Sequence, residues 1–314
     1  MMNGLKKGVN LGGWMSQCDY SKERLDHFIT DRDFEKIASW GVDHVRLPID
    51  YNVIQNEDMS FKEDGLARIE GAVALAKKHG LKLVLDLHKT LGYSFDKGEQ
   101  ESGFFENEKY QENFYRVWEE LAGRFGSDPE TVYLELLNEV TDESYLEPWN
   151  RIWKTCVARI RRIAPDSWIL IGSYNYNAVS TLQYLDPPAD KKMIYNFHCY
   201  EPFKFTHQGA YWTDAIDRDA RPSFAESGAS EAYYDELFAS AIEKAEKEGV
   251  SLYCGEYGVI DVASPEDALS WFRTIHAAFE KYGIARCAWS YKEMDFGISD
   301  ARMDGVRDEL ISVL

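Results

Sequence analysis

Apolar residues gather in eight short, near-continuous runs: 8–11, 43–48, 81–88, 132–139, 168–173, 193–200, 251–257 and 286–291. A strand with one wet face alternates polar and apolar positions; unbroken runs of this length are how strands covered on both faces read. Between the runs the spacing changes to the helical period. Within 108–124, Phe114, Val117, Trp118 and Leu121 stand at i, i+3, i+4 and i+7. The same reading predicts helices over 31–40 (behind Thr30, a fitting N-cap), 63–79, 146–163, 231–248 and 265–282, a weaker one over 175–185 and a closing one over 302–314. Gly41, Gly80, Gly249 and Gly283 stand where four of these should stop.

Strand–helix alternation repeated eight times predicts an α/β architecture with a parallel sheet. Eight units favour a single (β/α)8 TIM barrel, one domain over 1–314, over an open doubly wound sheet. No G-x-G-x-x-G follows a strand, so a dinucleotide fold has little to recommend it. The longest irregular stretch, 201–230, follows the sixth strand and is expected on the C-terminal face, where barrel active sites lie.

Charge narrows the partners. The chain carries 35 basic and 54 acidic residues, net −19. Such a surface repels nucleic acid and anionic membranes. No run is long enough to span a bilayer, and the first ten residues hold no long apolar stretch, so no secretory signal is expected among them. Cys18, Cys156, Cys199, Cys254 and Cys287 are odd in number, widely spaced and free of C-x-x-C, which argues against disulfides and structural zinc and for a cytoplasmic location. Nine Trp and nineteen Tyr fit either a large aromatic core or a neutral sugar ligand, whose C–H faces stack on rings. A monomer without cofactor or metal is expected.

Chemistry-bearing residues fall at the C-terminal ends of six of the eight runs. Arg46 is placed at the end of strand 2, His88 of strand 3, Asn138 and Glu139 of strand 4, His198 and Tyr200 of strand 6, Glu256 of strand 7 and Trp289 of strand 8. Any one of these could be a satisfied structural group; together they converge on one barrel mouth. Two chemistries use paired carboxyls with histidines there. In glycoside hydrolysis one carboxyl protonates the leaving oxygen and the other attacks the anomeric carbon or activates water. Glu139 would be the acid, and Glu256, kept ionised by Arg46 and hydrogen-bonded by Tyr200, the nucleophile. Metal-assisted hydrolysis would use His88, His198 and the glutamates as ligands, but no H-x-H pair occurs. A non-catalytic sugar-binding barrel is a third possibility, against which stand both glutamates.

The motifs themselves resemble a known family. Gly8-Val9-Asn10-Leu11-Gly12-Gly13-Trp14, Val45-Arg46-Leu47-Pro48, Leu85-Asp86-Leu87-His88, Leu137-Asn138-Glu139, Phe197-His198-Cys199-Tyr200, Gly255-Glu256-Tyr257-Gly258 and Ala288-Trp289 are similar, in order, to the strand motifs of glycoside hydrolase family five, the cellulase family. Pro202-Phe203-Lys204-Phe205-Thr206-His207-Gln208 and Tyr291-Lys292-Glu293-Met294-Asp295-Phe296 look like segments of its short, linker-free endoglucanases. The resemblance implies a retaining, metal-free β-glycosidase acting on β-glucan or oligosaccharide by double displacement, with endo-β-1,4-glucanase action leading and exo-glucanase or β-glucosidase action the alternative. It implies Glu139 as acid/base, Glu256 as nucleophile, Arg46 and Tyr200 orienting Glu256, Asn138 on the sugar 2-hydroxyl, His88 and His198 lining the central subsite, and Trp289 stacking under that sugar. One departure stands out. Members often carry His-His or His-Asn after strand 3; this chain has His88-Lys89.

Overall fold

The computed structural model describes residues 4–96, 98–99 and 101–314. Eight strands, β1 (Lys7–Asn10), β2 (His44–Asp50), β3 (Lys82–Lys89), β4 (Val132–Glu135), β5 (Trp168–Ile171), β6 (Met193–His198), β7 (Ser251–Tyr257) and β8 (Ala285–Ala288), pair in chain order and close on themselves, β8 against β1. Every pairing is parallel. The result is a (β/α)8 barrel.

The unbroken apolar runs conceal a period of two. Leu83, Leu85 and Leu87 of β3 point outward into the large core between sheet and helices. Val84 points inward with Tyr133, Leu170, Ile194, Tyr253 and Cys287, which fill the barrel floor. Continuing upward two residues at a time, the inward positions become Arg46, Asp86, Glu135 and Asn196, then His88 and His198. The lumen therefore changes from apolar at the floor to charged at the mouth.

The outer helices carry four fully buried tryptophans, Trp118, Trp149, Trp153 and Trp271. Three of them do more than fill space. The indole N–H of Trp118 donates to the carbonyl of Leu136 at 3.0 Å, that of Trp149 to Gly172 at 2.9 Å, and that of Trp271 to Glu201 at 3.1 Å. Each acceptor lies just beyond β4, β5 or β6, so a helix behind the sheet anchors the start of a mouth loop. Helix ends follow local chemistry. Thr30 and Asp33 form a capping box at Asp31–Ser39. The helices Glu231–Glu248 and Pro265–Tyr282 end on left-handed Gly249 and Gly283. No helix among the described residues is long and apolar enough to cross a membrane.

Several boundaries differ from the sequence reading. β4, β5, β6 and β8 are shorter than their apolar runs, so Asn138, Glu139, Tyr200 and Trp289 lie in loops just past the strands. Arg46 is mid-strand, four residues before the end of β2. No regular helix forms over 175–185. Asn175, Tyr176 and Asn177 take left-handed backbone, followed by a 3-10 stretch, Val179–Tyr184. Asparagine competes with helix and tolerates that region; for other residues it costs about 1–2 kcal/mol each. The closing helix is shorter than expected, Arg307–Ser312, preceded by a 3-10 turn at Ala301–Met303. The 201–230 stretch is mostly irregular, with one short helix at Phe203–Thr206 and a 3-10 turn at Phe224–Glu226.

Candidate active site

At the centre of the mouth lies Arg46, fully buried. Its Nε and one terminal nitrogen donate to the two oxygens of Glu135, each at 2.7 Å. The same terminal nitrogen reaches Asn138 Oδ1 at 2.8 Å and Asp86 Oδ2 at 3.0 Å. The other donates to Asn10 Oδ1 at 2.9 Å and Glu256 Oε1 at 2.7 Å. One cation thus faces three buried carboxyls. It cannot compensate all three, and burial lifts Asp86 and Glu135 to about 7 against the opposing pull of Arg46.

Glu256 is held at both oxygens. Arg46 takes Oε1, and the Tyr200 hydroxyl donates to Oε2 at 2.9 Å. Burial raises its pKa, while Arg46, His88 and the Tyr200 hydrogen bond act in the other direction. Tyr200 itself is held well above its ordinary range by burial and by Glu256, so it remains a donor.

Glu139 has no such cation. Its Oε1 lies 2.8 Å from His198 Nδ1, which is 3.6 Å from Glu256 Oε2. Burial and then the charge of Glu256 push the Glu139 carboxyl well above its usual value. His198 is driven well below its own, first by burial and then by Arg46, and is neutral. The Tyr93 hydroxyl fixes the loop from behind, donating to the Glu139 carbonyl at 2.6 Å and accepting from Thr141 N at 2.9 Å.

His88 stands between Asp86 Oδ2, at 2.6 Å from Nδ1, and Gln17 Oε1, at 3.1 Å from Nε2. Burial, then Arg46, lowers its pKa to about 4. The Trp289 indole lies parallel to it, 3° between planes and 5.9 Å between centroids. Two glycines make room for this assembly. A Cβ on Gly12 would stand 2.8 Å from the Trp289 ring, and one on Gly255 2.5 Å from Asn196 Oδ1.

All eight residues singled out from the sequence, Arg46, His88, Asn138, Glu139, His198, Tyr200, Glu256 and Trp289, meet at this one end of the barrel. Sequence reasoning missed Asn10, Gln17, Asp86, Glu135 and Asn196. The period of two could have found three of them: Asp86 is two before His88, Asn196 two before His198, and Glu135 four before Glu139. One group among the described residues could offer a metal three ligand atoms, from Glu139, His198 and Glu256, all within 4.8 Å of one another. One atom from each catalytic-candidate carboxyl therefore approaches the other within that distance.

A family model described as Cellulase (glycosyl hydrolase family 5) matches residues 3–295. The chain belongs to glycosyl hydrolase family 5. It is a glycosidase. Among members of the family, Cellodextrinase A of Ruminococcus flavefaciens is 56% identical over 312 residues, covering 99% of this chain and 93% of that protein. Endoglucanase C of Acetivibrio thermocellus is 38% identical over 340 aligned residues, covering 100% of this chain and 98% of that one. In three dimensions the family 5 barrel here is similar to Thermotoga maritima Cel5A solved with cellobiose (TM-score 0.85, 25% identity, 99% of this chain and 97% of that one). It is also similar to cellulose synthase subunit Z from Clostridioides difficile (TM-score 0.84, 25% identity, 99% of each chain).

Proposed function

We propose that this family 5 enzyme hydrolyses internal β-1,4-glucosidic bonds of β-glucans and cello-oligosaccharides with net retention. Glu256 is the nucleophile and Glu139 the acid/base. The observation that carries the reading is the facing pair of carboxyls, an oxygen of each within 4.8 Å of the other. Retaining enzymes hold their carboxyls about 5–5.5 Å apart, whereas inverting ones leave about 6.5–9.5 Å for a water. The unequal surroundings support the division of labour. Glu256, with an arginine on one oxygen and a phenol on the other, is the better anion; Glu139, with only a neutral histidine, is the better proton donor.

In the first step Glu256 attacks the anomeric carbon as Glu139 gives its proton to the departing oxygen. Water, deprotonated by Glu139, then frees the sugar from Glu256. Asn138 Oδ1 is taken by Arg46 and its Nδ2 has no partner, which suits a sugar hydroxyl as acceptor. Trp289 offers a ring face to the sugar between the carboxyls, and His88, its two nitrogens engaged by Asp86 and Gln17, lies parallel to that ring. The working unit we propose is a monomer of one domain.

A second reading, preference for short oligosaccharides, is favoured by the Ruminococcus relative, a cellodextrinase at 56% identity. Five unpaired thiols, four of them buried, support a cytoplasmic location, where soluble oligosaccharides are the accessible form of the substrate. The deciding experiment is a product profile on cello-oligosaccharides, barley β-glucan, laminarin, mannan and aryl glucosides. Short cello-oligomers from internal cuts in β-glucan support the endo reading. Cleavage confined to cello-oligosaccharides supports the second. Glucose alone from chain ends replaces both with an exo-enzyme or β-glucosidase.

A further inference from the structure

Within the irregular stretch 201–230, one segment is built like a core. Phe205, Thr206, His207 and Gln208 are buried in succession, although loops usually run over the surface. Buried backbone needs partners, and here it has them. The N–H groups of Phe205 and Thr206 donate to the Pro202 carbonyl at 2.9 and 3.2 Å, and that of His207 to Phe203 at 3.0 Å. The Thr206 carbonyl accepts from the N–H of Ile260 at 2.9 Å. Ile260 stands four residues past Glu256, so the segment is fastened to the chain that carries this carboxyl.

The same segment grips Tyr200. The Thr206 hydroxyl donates to the Tyr200 carbonyl. A hydroxyl has one hydrogen, so toward His207 Nδ1, 3.1 Å away, it is the acceptor and the imidazole donates. His207 therefore carries its proton on Nδ1. Burial lowers its pKa to about 3, and near neutral pH it holds no charge. Its ring meets that of Tyr200 edge-on, 85° between planes and 4.9 Å between centroids. Phe296 also packs edge-on against Tyr200, at 5.7 Å, and Phe203 stacks on His207 at 4.2 Å.

Tyr200 reaches Glu256 only with the tip of its side chain, the hydroxyl donating to Oε2 at 2.9 Å. Such bonds span about 2.5–3.0 Å, so the ring tolerates little drift. His207 acts on both ends of the tyrosine, on its carbonyl through Thr206 and on its ring by contact.

We propose that His207 is a positioning residue for the nucleophile, holding the Tyr200 hydroxyl on Glu256. The inference rests on the nucleophilic role of Glu256. Turnover with retention by the unaltered enzyme, lost in Glu256→Ala, tests that role; coupling between His207 and Tyr200 tests the inference. His207→Ala is expected to lose roughly tenfold in kcat on cellotetraose with KM within about twofold. The acidic limb of its pH–rate profile should move to higher pH, because the Tyr200 hydrogen bond that lowers the Glu256 pKa is weakened. Arg46, Asp86, His88, Glu139 and His198, the other titratable groups that face Glu256, are unaltered in this variant, so the shift reports on Tyr200. Made in Tyr200→Phe, which has no hydroxyl to hold, the same substitution should cost less than about twofold more. His207→Phe keeps a ring in the core and loses only the donor; it carries the same test if His207→Ala does not fold, with the limb moving in the same direction. An equal loss with and without the Tyr200 hydroxyl, or a limb that keeps its position, would mean a general structural role. A rise in KM at constant kcat would put His207 on the substrate instead. Each of these overturns the proposal.

Discussion

The Tyr200 hydroxyl donates to Oε2 of Glu256, the oxygen that Arg46 leaves free. The carboxylate is thereby fixed in rotation and favoured as an anion. Tyr200→Phe keeps the ring and removes the donor. A hydrogen bond to a charged group contributes about 1.5–3 kcal/mol, so kcat/KM should fall roughly tenfold to a hundredfold. Because the bond lowers the Glu256 pKa, its loss should move the acidic limb of the pH–rate profile to higher pH. A profile that keeps its position would remove Tyr200 from the control of Glu256.

Glu256→Ala should abolish turnover while cello-oligosaccharide binding, followed by calorimetry, stays largely intact. Glu139→Ala should lose most activity on cello-oligosaccharides and far less on substrates whose leaving group needs no proton. On the proposed roles, with Glu139 the acid and Glu256 the nucleophile rather than ligands, EDTA should leave the rate unchanged. Full inactivation by chelator, reversed by metal, would contradict this mechanism.

Asp86 and Glu135 titrate near 7 in the fold, against ordinary values of 3.8 and 4.5. Both values are raised, so the native state binds protons that the unfolded chain has released. Their contribution to stability is full below about pH 4 and is lost as pH rises through about 7. Unfolding near pH 5.5 should accordingly release protons from this pair, measurable as a buffer-dependent calorimetric enthalpy. Asp86→Asn with Glu135→Gln should reduce that release; an unchanged value would place the protons elsewhere.

Lys89, the residue after His88, is buried and pairs with Asp96 and Glu99, each at 2.7 Å. The same loop sets the Phe95 ring edge-on against His88, 4.9 Å between centroids. Lys89 here holds the loop that walls this side of the cleft. Lys89→Met should raise KM for cello-oligosaccharides severalfold and leave kcat nearly unchanged. The stability cost should stay below about 2 kcal/mol, since both acids keep contact with water. A fall in kcat with constant KM would instead assign Lys89 to the chemical step.

The barrel is legible in the chain because both faces of each strand are covered, which turns eight strands into eight apolar runs. That same double covering hides the inner polar layer. Asp86 and Glu135 read as interruptions of hydrophobic strands until the alternation inward and outward is known, and their common partner, Arg46, reads as a strand end although it is mid-strand. The spacing over 175–185 predicts a helix; the left-handed preference of two asparagines, Asn175 and Asn177, decides otherwise. Gln17 and Asn10 enter the mouth from loop and strand positions that carry no periodic signal; the pairing of β1 on β2 and the contacts of Gln17 with Asp50 and His88 bring them there.

The indoles of Trp118, Trp149 and Trp271 have a consequence for how such an enzyme can change. Each grips a carbonyl at the root of a loop. Segments grafted after 172, past Gln208 in the loop rooted at 201, or past Thr141 where the Tyr93 hydroxyl holds the loop that carries Glu139, would hang from a fixed point, and their length could vary while the carboxyls below kept their spacing. Specificity and chemistry are thereby mechanically insulated, so that the rim can be rebuilt for a new polymer without retuning the acid and the nucleophile.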